Sequence, residues 1–411
     1  MKNLAKNFNP RLLLISILTF LLGWQLGHRD VQIKWAAFKP TVSVINRDVP
    51  KAISVDFKLF WDTWDLLSKT YIDKKALESN KLFYGAISGM VSSLGDPYTV
   101  FLPPAEQKST KEELNGSFDG VGIQLGFNSD TPPRLVVIAP LDGTPAKQAG
   151  IKPQDLILKI DDKDTNGMSL PEAVRLIRGA KGTKVTLTIY RDGGSDAETF
   201  TLTRDTIVVK SVEVSFKQTK NGQDVAIIKL SRFGERTKDE WAQVVSEVVL
   251  KNPSSVILDV RNNPGGYLEG AVFIASEFLE DGDVVLQENN EGERTPFRVN
   301  RTGRLTKQHL EVLINKGSAS ASEIVAGALQ DRKRAKLIGE KSFGKGTIQE
   351  AQDLAGGTGI HITVAKWLTP NGRWVNETSG LDPDVKIEVD KQDKDEEDLD
   401  PQLEKAIELL D

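Results

Sequence analysis

The sequence has 411 residues, of which 39% are hydrophobic and 27% charged, and it contains 34 Gly, 18 Pro, 3 His and no Cys. At about 150 residues per domain, this length predicts two or three folded units. The lack of Cys excludes disulfides, Cys nucleophiles and Cys-ligated metals, and three scattered histidines do not suit a His-rich centre. We therefore expect no metal and no cofactor.

The net charge of −5 arises in one segment near the carboxyl end. Residues 390–400 hold seven acidic residues and two lysines, which leaves the rest of the chain balanced. Binding to a phosphate backbone requires a concentrated basic surface. Nucleic acid is therefore not an expected partner.

The amino terminus has the pattern of a membrane-targeting segment. Lys2, Lys6 and Arg11 precede an uncharged apolar run at 12–27, and no A-x-A-like cleavage site follows it. We expect a retained single-pass anchor at 1–30, rather than a buried core helix, and a linker at 31–56. The basic residues place the short end in the cytoplasm and the rest outside it, in the periplasm or at the cell exterior. Cleavage of the segment would make the protein secreted.

Four further regions follow in chain order. Apolar residues spaced three and four apart predict helices at 57–67 and 81–94, within a helical part at 57–115. Short β-branched runs with one helical insert at 170–178 predict a β-rich domain at 116–206. Alternating strands and helices predict an α/β layer at 207–390. An acidic linker and an amphipathic helix make up 391–411, with the apolar face of 401–410 docked on a partner subunit or on the core. The fold class is thus mixed α+β and α/β with several domains.

Three serines alternate with alanines before a predicted helix in the segment around Ser320. Ser320 and Glu323 have the S-x-x-E spacing of a capping box, which is the more common reason for such a pattern. A serine at the first turn of a helix is also well presented as a nucleophile, and the N–H of Ala321 would then point to the oxyanion. The two roles are compatible.

A nucleophilic serine needs a base, and the candidates are histidine and lysine. His309 precedes the strand that leads to Ser320, and His361 lies in an alternating segment, so neither has the setting of a loop-held base. Lys345 lies between two glycines, with Gln349 four positions later. To act as a base, Lys345 must be nearly buried, because its pKa has to fall from about 10.4 to about 7–8.

Two glycine-rich segments complete the pattern. Residues 339–346 have the G-x-x-x-x-G-K spacing of a phosphate-binding loop, but Gly346 stands where that loop requires Ser or Thr, so nucleotide hydrolysis is not expected. In the turn after a predicted strand, Gly265 and Gly266 expose backbone N–H groups suited to an oxyanion.

Taken together, the motifs at 258–268, 318–323 and 343–349, with Gly95-Asp-Pro-Tyr-Thr, resemble the carboxyl-terminal processing peptidases. These are serine proteases with a Ser-Lys dyad and an inserted PDZ domain. The resemblance runs from about residue 57 to 387. It implies Ser320 as nucleophile, Lys345 as general base and Gln349 as the residue that orients the lysine. It also implies oxyanion donors at the N–H groups of Ala321 and Gly266.

The β-rich insert resembles a PDZ domain. The segment Gly120, Val121, Gly122 and Ile123 is similar to the loop that holds a peptide's terminal carboxylate. The peptide groove would be made by Ile123 and Leu125 on a strand, and by Val174 and Ile177 on the helical insert. Asp162 departs from the usual Gly of such domains, at a turn away from the groove.

The sequence therefore predicts an extracytoplasmic serine endopeptidase that recognises unstructured or C-terminal tails of polypeptides through its PDZ domain. The alternative is a catalytically silent, membrane-tethered scaffold that binds such tails. An adaptor or activator protein is a candidate partner, since the enzyme could rest inactive until the groove is engaged. The helical amino-terminal part and 401–410 are candidate contacts for a homodimer or a higher oligomer.

Overall fold

The computed structural model describes residues 15–20, 23, 31–36, 39–44, 56–128, 132–191, 196–376, 378–388 and 400–411. The chain forms two compact units, Met1–Lys81 and Leu82–Asp411. Most of the predicted anchor at 1–30 and half of the predicted linker at 31–56 lie outside the described residues. None of the helices among the described residues has both the length and the hydrophobicity needed to cross a membrane.

Nine helices are labelled here. They are α1 Lys58–Thr70, α2 Ser79–Ser92, α3 Pro104–Asn115, α4 Pro145–Gln148, α5 Leu170–Ile177, α6 Thr237–Lys251, α7 Leu268–Ala275, α8 Ala321–Asp331 and α9 Pro401–Glu408.

Twenty-one strands are labelled. They are β1 Val31–Ala36, β2 Lys39–Val44, β3 Val100–Leu102, β4 Ser117–Gly120, β5 Ile123–Phe127, β6 Leu135–Pro140, β7 Leu156–Ile160, β8 Lys163–Asp164, β9 Lys184–Tyr190, β10 Glu198–Thr203, β11 Asp205–Val208, β12 Val212–Gln218, β13 Asp224–Leu230, β14 Ser255–Asp259, β15 Asp283–Glu288, β16 Arg294–Arg298, β17 His309–Ile314, β18 Lys336–Gly339, β19 Thr347–Asp353, β20 Gly359–Leu368 and β21 Val385–Lys386.

In the first unit, β1 and β2 pair antiparallel and α1 follows. The helix lies where apolar periodicity predicts one, at 57–67, and none of its residues is buried. The proposed role of this segment in self-association stays a prediction.

The β-rich insert has its own core and is attached through a two-stranded ribbon. Its six-stranded sheet has the order β10-β9-β7-β6-β5, with β8 on β7, and β5 lies at an edge. Ala173 and Ile177 of α5 pack into the core of this sheet. The ribbon pairs β4 with β11, antiparallel, at the two ends of the insert.

The larger α/β layer is built on a sheet of order β12-β13-β14-β17-β18-β21. Strands β13, β14, β17, β18 and β21 are parallel, so their carboxyl ends share one edge. The buried residues of α6, α7 and α8 belong to one core cluster with one face of the sheet. Ala406 and Leu410 pack on the opposite face with residues such as Ile257, so the apolar face of α9 docks on the core of its own chain.

A second sheet, of order β16-β15-β20-β19 with β3 on β20, extends from this layer. Its strand β19 follows the Lys345 loop directly. Because a strand and not a helix follows Lys345, the segment at 339–346 lacks the architecture of a phosphate-binding loop. The two sheets bring together the turns that form the candidate site.

Candidate active site

The candidate nucleophile, Ser320, follows the carboxyl end of β17 and precedes α8. Its φ of 56° and ψ of −115° lie outside the regions that a serine normally occupies. Such strain costs about 1–3 kcal/mol and is typical of functional turns, where a sharp change of direction presents a side chain outward. Ser320 lines a cavity of 340 Å³.

The glycine turn after β14 packs directly against Ser320. A Cβ on Gly265 would lie 2.8 Å from the Cβ of Ser320 and 2.9 Å from the nitrogen of Ala321. Asn263 secures the turn, since its carbonyl accepts hydrogen bonds from the Ala319 N–H at 3.0 Å and the Ser322 hydroxyl at 2.8 Å. Position 265 therefore requires glycine, because any side chain there would overlap the Ser320 turn.

Two backbone N–H groups beside Ser320 are free to bind an oxyanion. Within the described chain, no residue accepts a hydrogen bond from the N–H of Ala321 or of Gly266, and both residues line the cavity. Gly265 differs, because its N–H donates to Asn263 Oδ1 at 2.9 Å. Of the two glycines, only Gly266 thus has an N–H from which no described residue accepts a hydrogen bond.

The candidate base, Lys345, lies in a loop that the fold holds closely. The indole N–H of Trp367 donates to the Lys345 carbonyl, and that of Trp374 donates to the Gly346 carbonyl, each at 2.9 Å. A Cβ on Gly346 would lie 2.6 Å from the Trp374 indole nitrogen, and one on Gly344 would lie 2.8 Å from the nitrogen of Gly380. Both flanking glycines are therefore needed for close packing.

Lys345 lines the same cavity as Ser320. Its amine lies 4.8 Å from the centre of the Tyr98 ring and makes no hydrogen bond to Ser320 or to any other described residue. Burial lowers the pKa of Lys345, while the charges of Asp96 and Glu323 act in the opposite direction. A lowered pKa increases the fraction of neutral amine, the form that can accept a proton.

Gln349, on β19, also lines the cavity, but its observed hydrogen bonds do not involve Lys345. Its amide nitrogen donates to the hydroxyl oxygens of Thr347 at 2.9 Å and Thr363 at 3.1 Å. The sequence placed Gln349 near the lysine and gave no indication of these two threonines.

The carboxylate of Glu323 joins the two candidate catalytic segments. It accepts hydrogen bonds from the Ser320 N–H at 2.8 Å, the Ser342 hydroxyl at 2.6 Å, and the N–H groups of Gly344 at 2.7 Å and Lys345 at 2.9 Å. Burial raises the pKa of Glu323, and these hydrogen bonds oppose the rise. The S-x-x-E pattern predicts the first bond, but not the three that reach the Lys345 loop.

The histidines do not form a Ser-His-Asp arrangement. His309 begins β17, at the opposite end of the strand from Ser320, and its side chain is exposed. His361 lines the cavity, but no described Asp or Glu accepts a hydrogen bond from it. Burial and the nearby Lys345 lower the pKa of His361.

The predicted PDZ residues lie at the end of β4, on the loop before β5, on β5 at the edge of its sheet, and on α5. The N–H groups of Val121 and Gly122 donate to no acceptor in the described parts of the chain, so they are free for a carboxylate. Gly122 has a φ of 77°, and a Cβ there would overlap Thr144. On either side, Ile123 and Leu125 of β5 and Val174 of α5 are half-buried around the buried Ile177.

Comparison with known proteins identifies the family. Residues 224–387 match the model of Peptidase family S41, 136–191 that of a PDZ domain, and 32–105 that of the activating protease CtpB N-terminal domain. A carboxyl-terminal-processing protease of Synechocystis sp. is 38% identical over 353 residues, which cover 82% of this chain and 82% of that protein. The chain belongs to the carboxyl-terminal processing proteases.

A second relative supports this assignment, and a solved structure shares the fold. The carboxy-terminal processing protease CtpA of Bacillus subtilis is 37% identical over 79% of this chain and 69% of its own. A solved structure of an S41 protease from Bacteroides fragilis shares the fold, with a TM-score of 0.57, 14% identity, and coverage of 88% of this chain and 98% of that one. This chain is therefore a serine-type S41 peptidase with a PDZ domain in a multidomain α/β fold, as the sequence predicted.

Glu323→Gln tests whether the buried carboxylate holds the site together. The amide keeps the shape of the side chain but has only one oxygen. Each oxygen of Glu323 accepts from two donors, so in the variant two of the four donors would face an NH₂ group, which cannot accept. We expect the free energy of unfolding to fall by about 2–4 kcal/mol and hydrolysis of a denatured protein to fall in parallel. Denaturant unfolding and a peptidase assay measure both quantities.

Glu269→Gln is the matched control, because Glu269 lies in the first turn of α7 with its side chain 83% exposed. It should leave both quantities unchanged. Wild-type stability and activity in Glu323→Gln would show that the carboxylate does not hold the two segments.

Proposed function

We propose that this protease is an endopeptidase that uses Ser320 as nucleophile and Lys345 as general base. One observation carries the proposal. Ser320, the half-buried Lys345, Ala321 and Gly266 all line one cavity, and no described residue accepts a hydrogen bond from the N–H of Ala321 or Gly266. Nucleophile, base and oxyanion donors are the three parts that acyl transfer to a serine requires.

In the proposed mechanism, the neutral amine of Lys345 takes the proton of the Ser320 hydroxyl as the oxygen attacks the scissile carbonyl. The N–H groups of Ala321 and Gly266 stabilise the negative oxygen of the tetrahedral intermediate. The ammonium then gives its proton to the leaving amine, and water hydrolyses the acyl-enzyme with the amine again as base. Gln349 is the residue we propose to orient the amine.

Ser320→Ala and Lys345→Ala should each abolish cleavage of a denatured protein, because each removes one half of the proton transfer. The wild-type kcat/KM should rise with pH as Lys345 loses its proton, and the midpoint should lie below 10.5, because burial lowers this pKa. Lys341→Ala is the control, since Lys341 precedes the same loop and pairs with Asp382 at 3.2 Å.

A labelling experiment on the same variants separates a peptidase from a scaffold that only binds tails. A serine-directed probe should acylate Ser320 in the wild type, as read by mass spectrometry, and should not modify Ser320→Ala. Full activity in Lys345→Ala would refute the dyad, and no acylation of the wild type would favour the scaffold.

We propose that the PDZ domain recognises substrates or adaptors by a free C-terminal carboxylate. The unpaired N–H groups of Val121 and Gly122 support this, since successive backbone donors form a concave anion site. The free edge of β5 supports it as well, because an extended peptide can pair there while its last side chain enters the groove.

A peptide with an apolar last residue should bind the full chain at least about tenfold more weakly once its carboxylate is amidated. The Ser320→Ala protein allows this to be measured by calorimetry without cleavage. Val174→Asp should weaken the binding of the free-acid peptide, because it places a charge in the apolar groove. Arg175→Asp, at the neighbouring exposed position of α5, is the control. Equal affinity of the acid and the amide would contradict the proposal.

We also propose that the chain is tethered to a membrane with its peptidase outside the cytoplasm. The support is the charge pattern, with Lys2, Lys6 and Arg11 before the apolar run at 12–27. Protein isolated from membranes should keep its original amino-terminal peptide. Protease added to cells with a permeabilised envelope and an intact inner membrane should digest the catalytic part. A protected catalytic part would contradict this location.

A further inference from the structure

Asp96 lies in the loop between α2 and β3, in a motif whose role the proposed mechanism leaves open. Its Oδ1 accepts a hydrogen bond from the Tyr98 N–H at 3.0 Å, and its Oδ2 accepts one from the Thr99 hydroxyl at 2.7 Å. Strand β3 then pairs with β20, where Val100 lies opposite His361. This pairing places the carboxylate beside the cavity wall formed by β19 and β20.

A chain of hydrogen bonds leads from Asp96 to Gln349. The Thr99 hydroxyl donates to Asp96, and its oxygen accepts from the Thr363 N–H at 3.0 Å. The Thr363 hydroxyl lies near enough to Asp96 to lower the pKa of that carboxyl, and its oxygen accepts a hydrogen bond from the Gln349 amide nitrogen at 3.1 Å. Thr363 and Gln349 are cross-strand partners next to a β-bulge in β19.

The Asp96 carboxylate sets the direction of the bonds in this chain. An ionised carboxylate has acceptors only, so the Thr99 hydroxyl donates its single proton to Asp96, and the nearby negative charge favours the same orientation of the Thr363 hydroxyl. Their oxygens are then left to accept. Burial acts to raise the pKa of Asp96, but hydrogen bonds from Thr363, Thr99 and the backbone outweigh it, so the group is ionised at neutral pH.

An amide has nearly the same shape in its two flipped orientations, so only its partners determine which end points where. The oxygen of Thr363 requires the nitrogen of Gln349, and the carbonyl oxygen of Gln349 must then lie on the other side. This oxygen matters for Lys345, because the ammonium formed when Lys345 takes a proton has three donors and no acceptor. A neutral acceptor can bind it without the large rise in pKa that a carboxylate would cause.

We propose that Asp96 and Thr363 are positioning residues that fix the amide of Gln349 so that its carbonyl oxygen is presented to Lys345. The proposal rests on the Ser320–Lys345 dyad proposed above. It assigns a role to the Gly95-Asp-Pro-Tyr-Thr motif, which lies about 250 residues before Lys345 and Gln349 in the chain.

Thr363→Val and Thr363→Ser form the central test. Valine has the shape of threonine but no hydroxyl, so Gln349 keeps only the Thr347 hydroxyl, which can either donate or accept. The amide thus loses the acceptor that sets its orientation. We expect kcat to fall about tenfold or more with KM within about twofold. The acid limb of kcat/KM should move to lower pH, because the ammonium loses a partner. Thr363→Ser keeps the hydroxyl and should restore both quantities.

Thr295→Val is the matched control, since Thr295 is exposed on β16 of the same sheet. It should leave kcat and the pH profile unchanged. In a Gln349→Ala background, Thr363→Val should cause no further loss, because the hydroxyl acts through the amide. Thermal unfolding of each variant identifies any loss that comes from the fold alone.

Asp96→Asn gives an independent measurement. It removes the negative charge near Lys345 and allows the hydroxyls to reverse, so kcat should fall and the acid limb should move to lower pH. An unchanged limb in Asp96→Asn, or Thr363→Val and Thr363→Ser with equal activity, would overturn the positioning role. If Lys345→Ala is inactive in the same assay, the dyad stands and only the positioning role is lost. If Lys345→Ala is active, the dyad itself fails.

Discussion

The geometry of the site depends on one buried anion. The carboxylate of Glu323 accepts hydrogen bonds from the backbone of Ser320 and from three groups of the Lys345 loop. A buried carboxylate without these donors would be very costly, so the two segments are held together by the need to satisfy it. No cationic side chain of the described residues hydrogen-bonds to Glu323, so its carboxylate organises the loop by accepting from backbone and hydroxyl donors. The negative charge close to Lys345 still opposes the loss of its proton.

The two sheets contribute different parts of the site around Glu323. The parallel sheet positions the Ser320 and Gly265 turns, and the second sheet contributes the polar side chain of Gln349. The glycine turn after β14 and the Ser320 turn after β17 meet because parallel strands end at one edge. The Lys345 loop leads from β18 into β19, which carries Gln349 into the same cavity. Backbone strain at Ser320 and the steric demands of Gly265 are offset by the packing of these turns against each other.

Local sequence patterns predict most of the helices and strands, but they do not predict the contacts between segments that are distant in the chain. Helix and strand positions follow from apolar spacing, and α9 was expected to dock on either a partner or the core. Glu323 could be predicted as a cap of its own helix, but its bonds to Gly344 and Lys345 join segments that only folding brings together. Asp96 and Thr363 are far apart in the chain, so no spacing relates them. The positive φ of Ser320 comes from tertiary packing, since propensity alone disfavours it.

The ribbon formed by β4 and β11 has a consequence for how the molecule is assembled. Both ends of the PDZ insert pass through one antiparallel pair, with Ser117 opposite Val208 and Gly120 opposite Asp205, so the two chain connections of the domain lie side by side. Its chain ends are adjacent at that ribbon. A module attached in this way can be exchanged for another with neighbouring termini while the peptidase sheet keeps its strand order. The PDZ domain and the peptidase sheet are therefore separate structural units, joined in the chain at one antiparallel ribbon.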